Sequence, residues 1–156
     1  MIDLFNKEKI MALSWKQPFA TAMLYGKIET RTWNTNYRGL VLICTSQKPY
    51  DVTTVGSICG DKLLANMCKA MRNDSGTLDL NGYAIAIGRL VDCRPMSIED
   101  EEKAFVKYRP NLFSHIYEDV RPIKPFPWKG RQGWKTVDQC IYKIEILEPK
   151  QTHNHE

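Results

Sequence analysis

Two apolar runs of strand length, residues 40–45 and 83–93, constrain this chain more than any other feature. Leu40-Val41-Leu42-Ile43-Cys44-Thr45 shows no polar alternation, so neither face is left for water and the segment reads as a central strand. The second run, from Tyr83 to Cys93, is longer and carries Gly88 in its middle, the place for a bulge or a barrel bend. Between them, Val55, Ile58, Leu63, Leu64, Met67, Cys68 and Met71 recur at roughly helical spacing, with Gly56 and Gly60 predicting a break into two pieces. Strands that flank a helical block, rather than alternate with helices, point to an α+β fold.

The remaining segments fit that class. Residues 10–14 read as a short buried strand, and Gln17-Pro18 opens a helix with proline in its first turn, closed by Gly26. From residue 27 the chain alternates, with Lys27, Glu29, Arg31 and Trp33 on one face and Ile28, Thr30 and Thr32 on the other. Residues 34–39 are turn formers, and Asn73-Asp74-Ser75-Gly76 marks an exposed loop. Ser97 before the acids at 99–102 is a helix start, its carboxylates near the positive end of the dipole. Ile116, Tyr117 and Val120 predict a further strand, the proline-rich residues 121–127 an extended loop, and residues 140–147 a final strand. Residues 10–46, 83–93 and 139–147 are then expected to form one small closed or partly closed barrel of five to seven strands, with helix 17–26 plugging or flanking its mouth. One domain over 10–148 follows, with 1–9 as an N-terminal extension, a helical insertion at about 51–80 and a flexible tail at 149–156.

Composition removes several function classes. With 43% hydrophobic and 26% charged residues the balance is globular, and no apolar run is long enough to cross a bilayer. Asp3, Lys7, Glu8 and Lys9 stand where a leader would be apolar, so a cytoplasmic location without a membrane partner is expected. The five cysteines are irregularly spaced without a Cys-x-x-Cys pair, and the three histidines do not cluster. Neither a metal nor a cofactor is implied. There is no Gly-x-Gly or Gly-Lys-Ser/Thr phosphate loop, which removes Rossmann and P-loop readings.

Charge is uneven. Residues 1–78 carry ten Lys/Arg against six Asp/Glu, whereas residues 79–156 carry twelve of each. From residue 9 to 50 six cations face the single acid Glu29, and residues 121–137 are acid-free with Arg121, Lys124, Lys129, Arg131 and Lys135. Brought together by the fold, these stretches favour an anionic ligand.

Four ordered blocks carry a family resemblance: Leu13-Ser14-Trp15-Lys16-Gln17-Pro18-Phe19-Ala20, then Gly26-Lys27-Ile28-Glu29-Thr30-Arg31-Thr32-Trp33 with Thr35-Asn36-Tyr37-Arg38-Gly39, then Ile87-Gly88-Arg89-Leu90-Val91-Asp92-Cys93, then Val120-Arg121-Pro122-Ile123 with Lys129-Gly130-Arg131-Gln132-Gly133-Trp134. Together they resemble ASCH domains, relatives of the PUA RNA-binding fold. One departure stands out: the family usually writes Gly-x-Lys-x-x-Glu-x-Arg, whereas here Lys27 follows Gly26 directly and only Ile28 separates it from Glu29.

The resemblance implies a pocket that binds RNA, a nucleotide or a nucleoside. Its candidate lining is Trp15, Lys16, Gln17, Lys27, Glu29 and Arg31, with Trp33, Arg38, Trp128, Lys129, Arg131 and Trp134. The cations suit phosphates and the tryptophans suit base stacking, although a tryptophan is more often core than platform. Trp128, in the proline-rich basic segment, is the strongest platform candidate. Glu29 has two readings: an acceptor for the exocyclic amine of a base, or an ion-pair partner of Lys27 or Arg31.

Two other functions remain open at this stage. Some ASCH relatives deacylate acetylcytidine with a threonine, a lysine and a glutamate, but that threonine falls at Glu29 here. An amidohydrolase on acylated nucleosides would need Glu29 as a base beside Lys27, or Thr30 or Thr45 in the threonine's role. Other relatives cleave RNA, chemistry for which this chain offers no histidine pair. A protein-interaction module of the coregulator kind fits the family without support from particular residues.

Overall fold

A computed structural model describes residues 8–148. The expected tail at 149–156 and residues 1–7 of the expected extension lie outside them. Strands β1 (Ile10–Trp15), β2 (Glu29–Arg31), β3 (Gly39–Thr45), β4 (Tyr83–Pro95), β5 (Phe113–Pro127) and β6 (Lys135–Thr136) form one sheet in the order β2-β5-β4-β3-β1-β6. β1 and β3 run parallel, the other pairs are antiparallel, and the sheet curls into a half-barrel. Helices α1 (Phe19–Ala22), α2 (Val52–Cys59), α3 (Asp61–Ala70) and α4 (Glu101–Ala104) complete an α+β architecture.

β3 explains its own sequence. Val41 and Ile43 face the larger core with Leu13, Trp15 and Ile85, which the helices cover through Phe19, Met23, Val55, Cys59, Leu63 and Met67. Leu40, Leu42 and Cys44 face a smaller core with Ile10, Ala12, Ile87, Ile123 and Trp128. With apolar material on both faces, alternation has no selective value, and the run is continuous. The helical insertion breaks at Gly60, between α2 and α3, while Gly56 lies inside α2. Asp51 caps α2 by accepting from the Thr54 amide at 2.7 Å.

Gly88 marks a bend, as expected. The β4–β5 register shifts between Ile87 and Arg89, and a Cβ on Gly88 would come within 2.8 Å of Val120 Cγ2. Across the pair, Asp119 takes a positive φ of 51°. These shifts increase local twist and help roll the sheet.

The structure corrects the sequence reading in three places. Residues 121–127 are not a loop but the second half of β5, which pairs Pro122 with Ala86 and Pro127 with Tyr83. That half lies beyond β2 at the sheet's margin, where proline's missing N–H is tolerated. Residues 139–147 form no full strand. They contact β5 through one bridge, Ile123 to Ile146, and through Lys124 N–H to Glu145 O and Leu147 N–H to Pro122 O, both at 2.8 Å. The prolines at 122, 125 and 127 supply no donors for a longer ladder. β1 instead takes β6 as its outer neighbour, through Met11–Thr136 and Ala12–Lys135. Lastly, the 17–26 helix is a single α-turn over Phe19–Ala22, continued by a 3-10 turn at Met23–Tyr25 and ended at Gly26.

Candidate nucleotide-binding site

A cavity of about 700 Å³ opens at the C-terminal end of β1, between β2, α1 and the residue 129–133 loop. Its size falls in the range of small-molecule sites. Of the expected site residues, Trp15, Lys16, Lys27, Glu29, Arg31, Trp128, Lys129 and Arg131 line it.

The floor comes from the short β2 strand. Lys27, Glu29 and Arg31 all reach the cavity, as the alternation predicts, but Thr30 from the opposite face lines it too and Trp33 does not. Lys27 Nζ donates to Glu29 Oε1 at 2.9 Å and to the Ile28 carbonyl at 3.0 Å. Arg31 Nε donates to Glu29 Oε2 at 2.7 Å, and Arg31 Nη2 to the Ser14 carbonyl at 3.0 Å. Burial pushes the Glu29 carboxyl pKa up, but the adjacent Lys27 and Arg31 charges and their hydrogen bonds outweigh it. The group is therefore held below the ordinary carboxylate range. The Arg31 guanidinium lies 4.9 Å from the Trp15 ring centre, and Lys27 Nζ lies 5.2 Å from that of Phe19. These cation–π contacts fix both heads against aromatic walls.

The rim is basic and wet. Lys16, Lys129 and Arg131 are exposed, with Lys16 Nζ 5.6 Å from the Tyr50 ring centre. Arg131 bonds the Trp134 carbonyl through Nε at 3.0 Å and Nη2 at 2.7 Å, which shapes the 129–133 loop. In all, five cations and one carboxylate line the cavity.

Four expected residues do not line it. Gln17 is a structural brace: its Nε2 donates to the Thr77 and Leu80 carbonyls, and its Oε1 accepts from the Thr21 amide. Arg38 braces its own turn through the Thr35 and Tyr37 carbonyls, at 2.8 and 2.9 Å. Trp33 and Trp134 pack edge to face, 5.9 Å between centres, with Tyr37 5.1 Å from Trp134. Trp128 reaches the cavity wall but is no free platform. It is 3% exposed, packs on Phe126 and Tyr142, and carries Lys135 Nζ 4.8 Å from its ring centre. Its segment is strand rather than loop up to Pro127, so a core position is available to it.

Phe19, Tyr50, Ser14, Ser46, Gln47 and Gln132 also line the cavity, unforeseen from the sequence. Phe19 carried only a helical core signal, and Tyr50 follows Pro49 outside any periodic segment. Thr30 and Thr45 are there too, but the Thr45 hydroxyl is already engaged with Tyr83, accepting from its amide at 3.0 Å and donating to its carbonyl at 3.3 Å.

No protein-family model and no curated protein matches the chain. The architecture is similar to that of ZmASCH from Zymomonas mobilis, seen in the crystal structure of a single-substitution variant. The TM-score is 0.54, over 88% of this chain and 100% of that one, at 11% sequence identity. The chain carries the ASCH fold. At that identity the likeness is one of backbone, and the chemistry of the cavity is read from this chain's own residues.

Proposed function

We propose that the cavity binds a nucleotide, either free or as one unit of an RNA strand. One observation carries this reading: five cations and one carboxylate line an aromatic-walled cavity, and that carboxylate is already spent on two of the cations. The exposed Lys16, Lys129 and Arg131 suit phosphates, whose binding releases counterions, while Tyr50 and Phe19 offer apolar area to a base. The PUA-like resemblance agrees with such a ligand.

Hydrolysis of an acylated nucleoside such as acetylcytidine draws less support. A general base works best with a pKa near the operating pH, and Glu29 is held low by two cations. Neither does the Thr45 hydroxyl stand next to a free base, since Tyr83 holds it at both ends.

Tryptophan fluorescence of the full chain, titrated with nucleoside monophosphates and a short single-stranded RNA across a salt series, tests the proposal. Three phosphate-facing cations predict a log–log salt slope of about −2 for RNA. Lys129→Ala should reduce it by about 0.7 without changing stability. Absence of any nucleotide or RNA binding at low salt would sink the reading. Saturable mononucleotide binding without a gain for RNA would assign the site to free nucleotides.

A further inference from the structure

We infer that the cavity selects a nucleotide whose base presents a carbonyl edge, guanine or uracil, over one that presents an amine edge, adenine or cytosine. The inference rests on the nucleotide-binding reading and adds to it the identity of the group that reaches the floor.

The floor's charged acceptor is already engaged. Glu29 is 6% exposed and each of its oxygens receives a charged donor. Two nearby backbone carbonyls each accept a charged donor as well, Ile28 O from Lys27 Nζ and Ser14 O from Arg31 Nη2. An exocyclic amine arriving here would meet the Lys27 and Arg31 cations and would have to share the acceptors they already engage. Its hydrogens would be stripped of water and paired only in competition with charged donors, the costly half of the hydrogen-bond balance.

Donors, by contrast, remain. A guanidinium carries five N–H groups. Arg31 spends one from Nε and one from Nη2, and its Nη1 has no acceptor among the described residues. Its orientation is held by the Glu29 bond, the Ser14 carbonyl and the Trp15 ring, so the unspent fork is set before any ligand arrives. A fixed arginine fork pairs with two adjacent acceptors, as with O6 and N7 of guanine. A carbonyl such as O4 of uracil meets it with one bond. The adenine N6 and cytosine N4 amines oppose it donor to donor.

A phosphate fits this floor less well than a base. Lys27, Arg31 and Glu29 sum to one positive charge, too little to replace the hydration of a group carrying nearly two negative ones. The rim, with three exposed cations in water, offers a phosphate more charge at less desolvation. Base inward and phosphate outward is the orientation in which every cation finds its complement.

The test is a titration of the full chain at low ionic strength with GMP, UMP, AMP, CMP and ribose 5-phosphate, followed by tryptophan fluorescence. GMP and UMP should bind about tenfold more tightly than AMP and CMP. Ribose 5-phosphate should be weaker than GMP. Arg31→Lys retains the charge beside Glu29 but removes the fork, and should bring the four nucleotides to within about twofold of one another. Equal or tighter binding of AMP or CMP to the unmodified chain overturns the inference, as does ribose 5-phosphate matching GMP. Should Arg31→Lys fold and keep the preference, the fork is not its source and the inference also fails. If all four nucleotides bind equally with strong salt dependence, the nucleotide site stands and only base selection is lost. If none binds, both are lost.

Discussion

Glu29 stands directly opposite His115 across the β2–β5 pair, so an ionised carboxylate on the cavity floor and a fully buried imidazole share one rung of the sheet. His115 Nε2 lies 3.0 Å from the Trp33 carbonyl and its ring packs edge-on to Trp33, while Nδ1 has no hydrogen-bond partner among the described residues. The short contact to a carbonyl places the proton on Nε2 and leaves Nδ1 bare. Burial is the largest influence on this residue and lowers its pKa below the usual 6.5, against the opposing pull of the Trp33 carbonyl and Glu29.

A pH dependence of stability follows. The unfolded chain takes up this proton more readily than the folded one, so stability attached to neutral His115 is complete above about pH 6.5 and is lost as pH falls below it. Calorimetric melting at pH 7 and pH 5 should show a fall in Tm, and His115→Gln should flatten it. Parallel profiles for the two proteins would remove His115 as the cause.

The Glu29 carboxylate is the hinge of the floor's charge balance. Glu29→Gln leaves Lys27 and Arg31 buried or half-buried without their counter-ion, a loss of about 3–5 kcal/mol where such a partner is removed. A loss of unfolding free energy of that size is expected from urea titration in the absence of ligand. Because its folded pKa is depressed, the Glu29 contribution is present above the ordinary carboxylate value and disappears as pH falls through the folded one. A variant as stable as the parent would show that the triad makes no net contribution.

How much of the fold and the cavity is legible in the sequence depends on what each segment packs against. The β2 face is readable because a period of two places Lys27, Glu29 and Arg31 together whatever lies beyond them. Gly88 is readable because a strand gives up a side chain mainly where it bends or where a neighbour needs the space, here Val120. Residues 121–127 mislead because their prolines report on hydrogen bonding only, and a strand at the sheet's margin does without those donors. The same prolines cut short the pairing of residues 139–147, whose alternation at Tyr142, Ile144 and Ile146 is otherwise strand-like. Gln17, Trp33, Arg38 and Trp134 share the motif's neighbourhood but not the cavity. Local sequence puts them near it, and only tertiary contacts decide which way each one turns.

The 129–133 loop yields the last prediction, because its position is fixed at both ends and in the middle. Trp128 is seated in the smaller core and Trp134 against Trp33 and Tyr37, so neither end is free to shift. Between them Gly130 passes so close to β1 that a Cβ there would collide with Ser14 Oγ, while Ser14 Cβ would remain at an ordinary 3.5 Å. Gly130→Ala must therefore lift the middle of the loop or turn the serine hydroxyl. Lifting carries Lys129 and Arg131 away from the floor. The loop is exposed, so stability should change by less than about 1 kcal/mol. Nucleotide affinity should fall about fivefold, roughly 1 kcal/mol of binding. Adding Ser14→Ala removes the obstructing oxygen and should restore most of the affinity, a coupling readable in a double-mutant cycle by fluorescence titration. Unchanged affinity in Gly130→Ala, or a loss that Ser14→Ala does not repair, would show that the close approach of Gly130 to Ser14 does not set the position of Lys129 and Arg131.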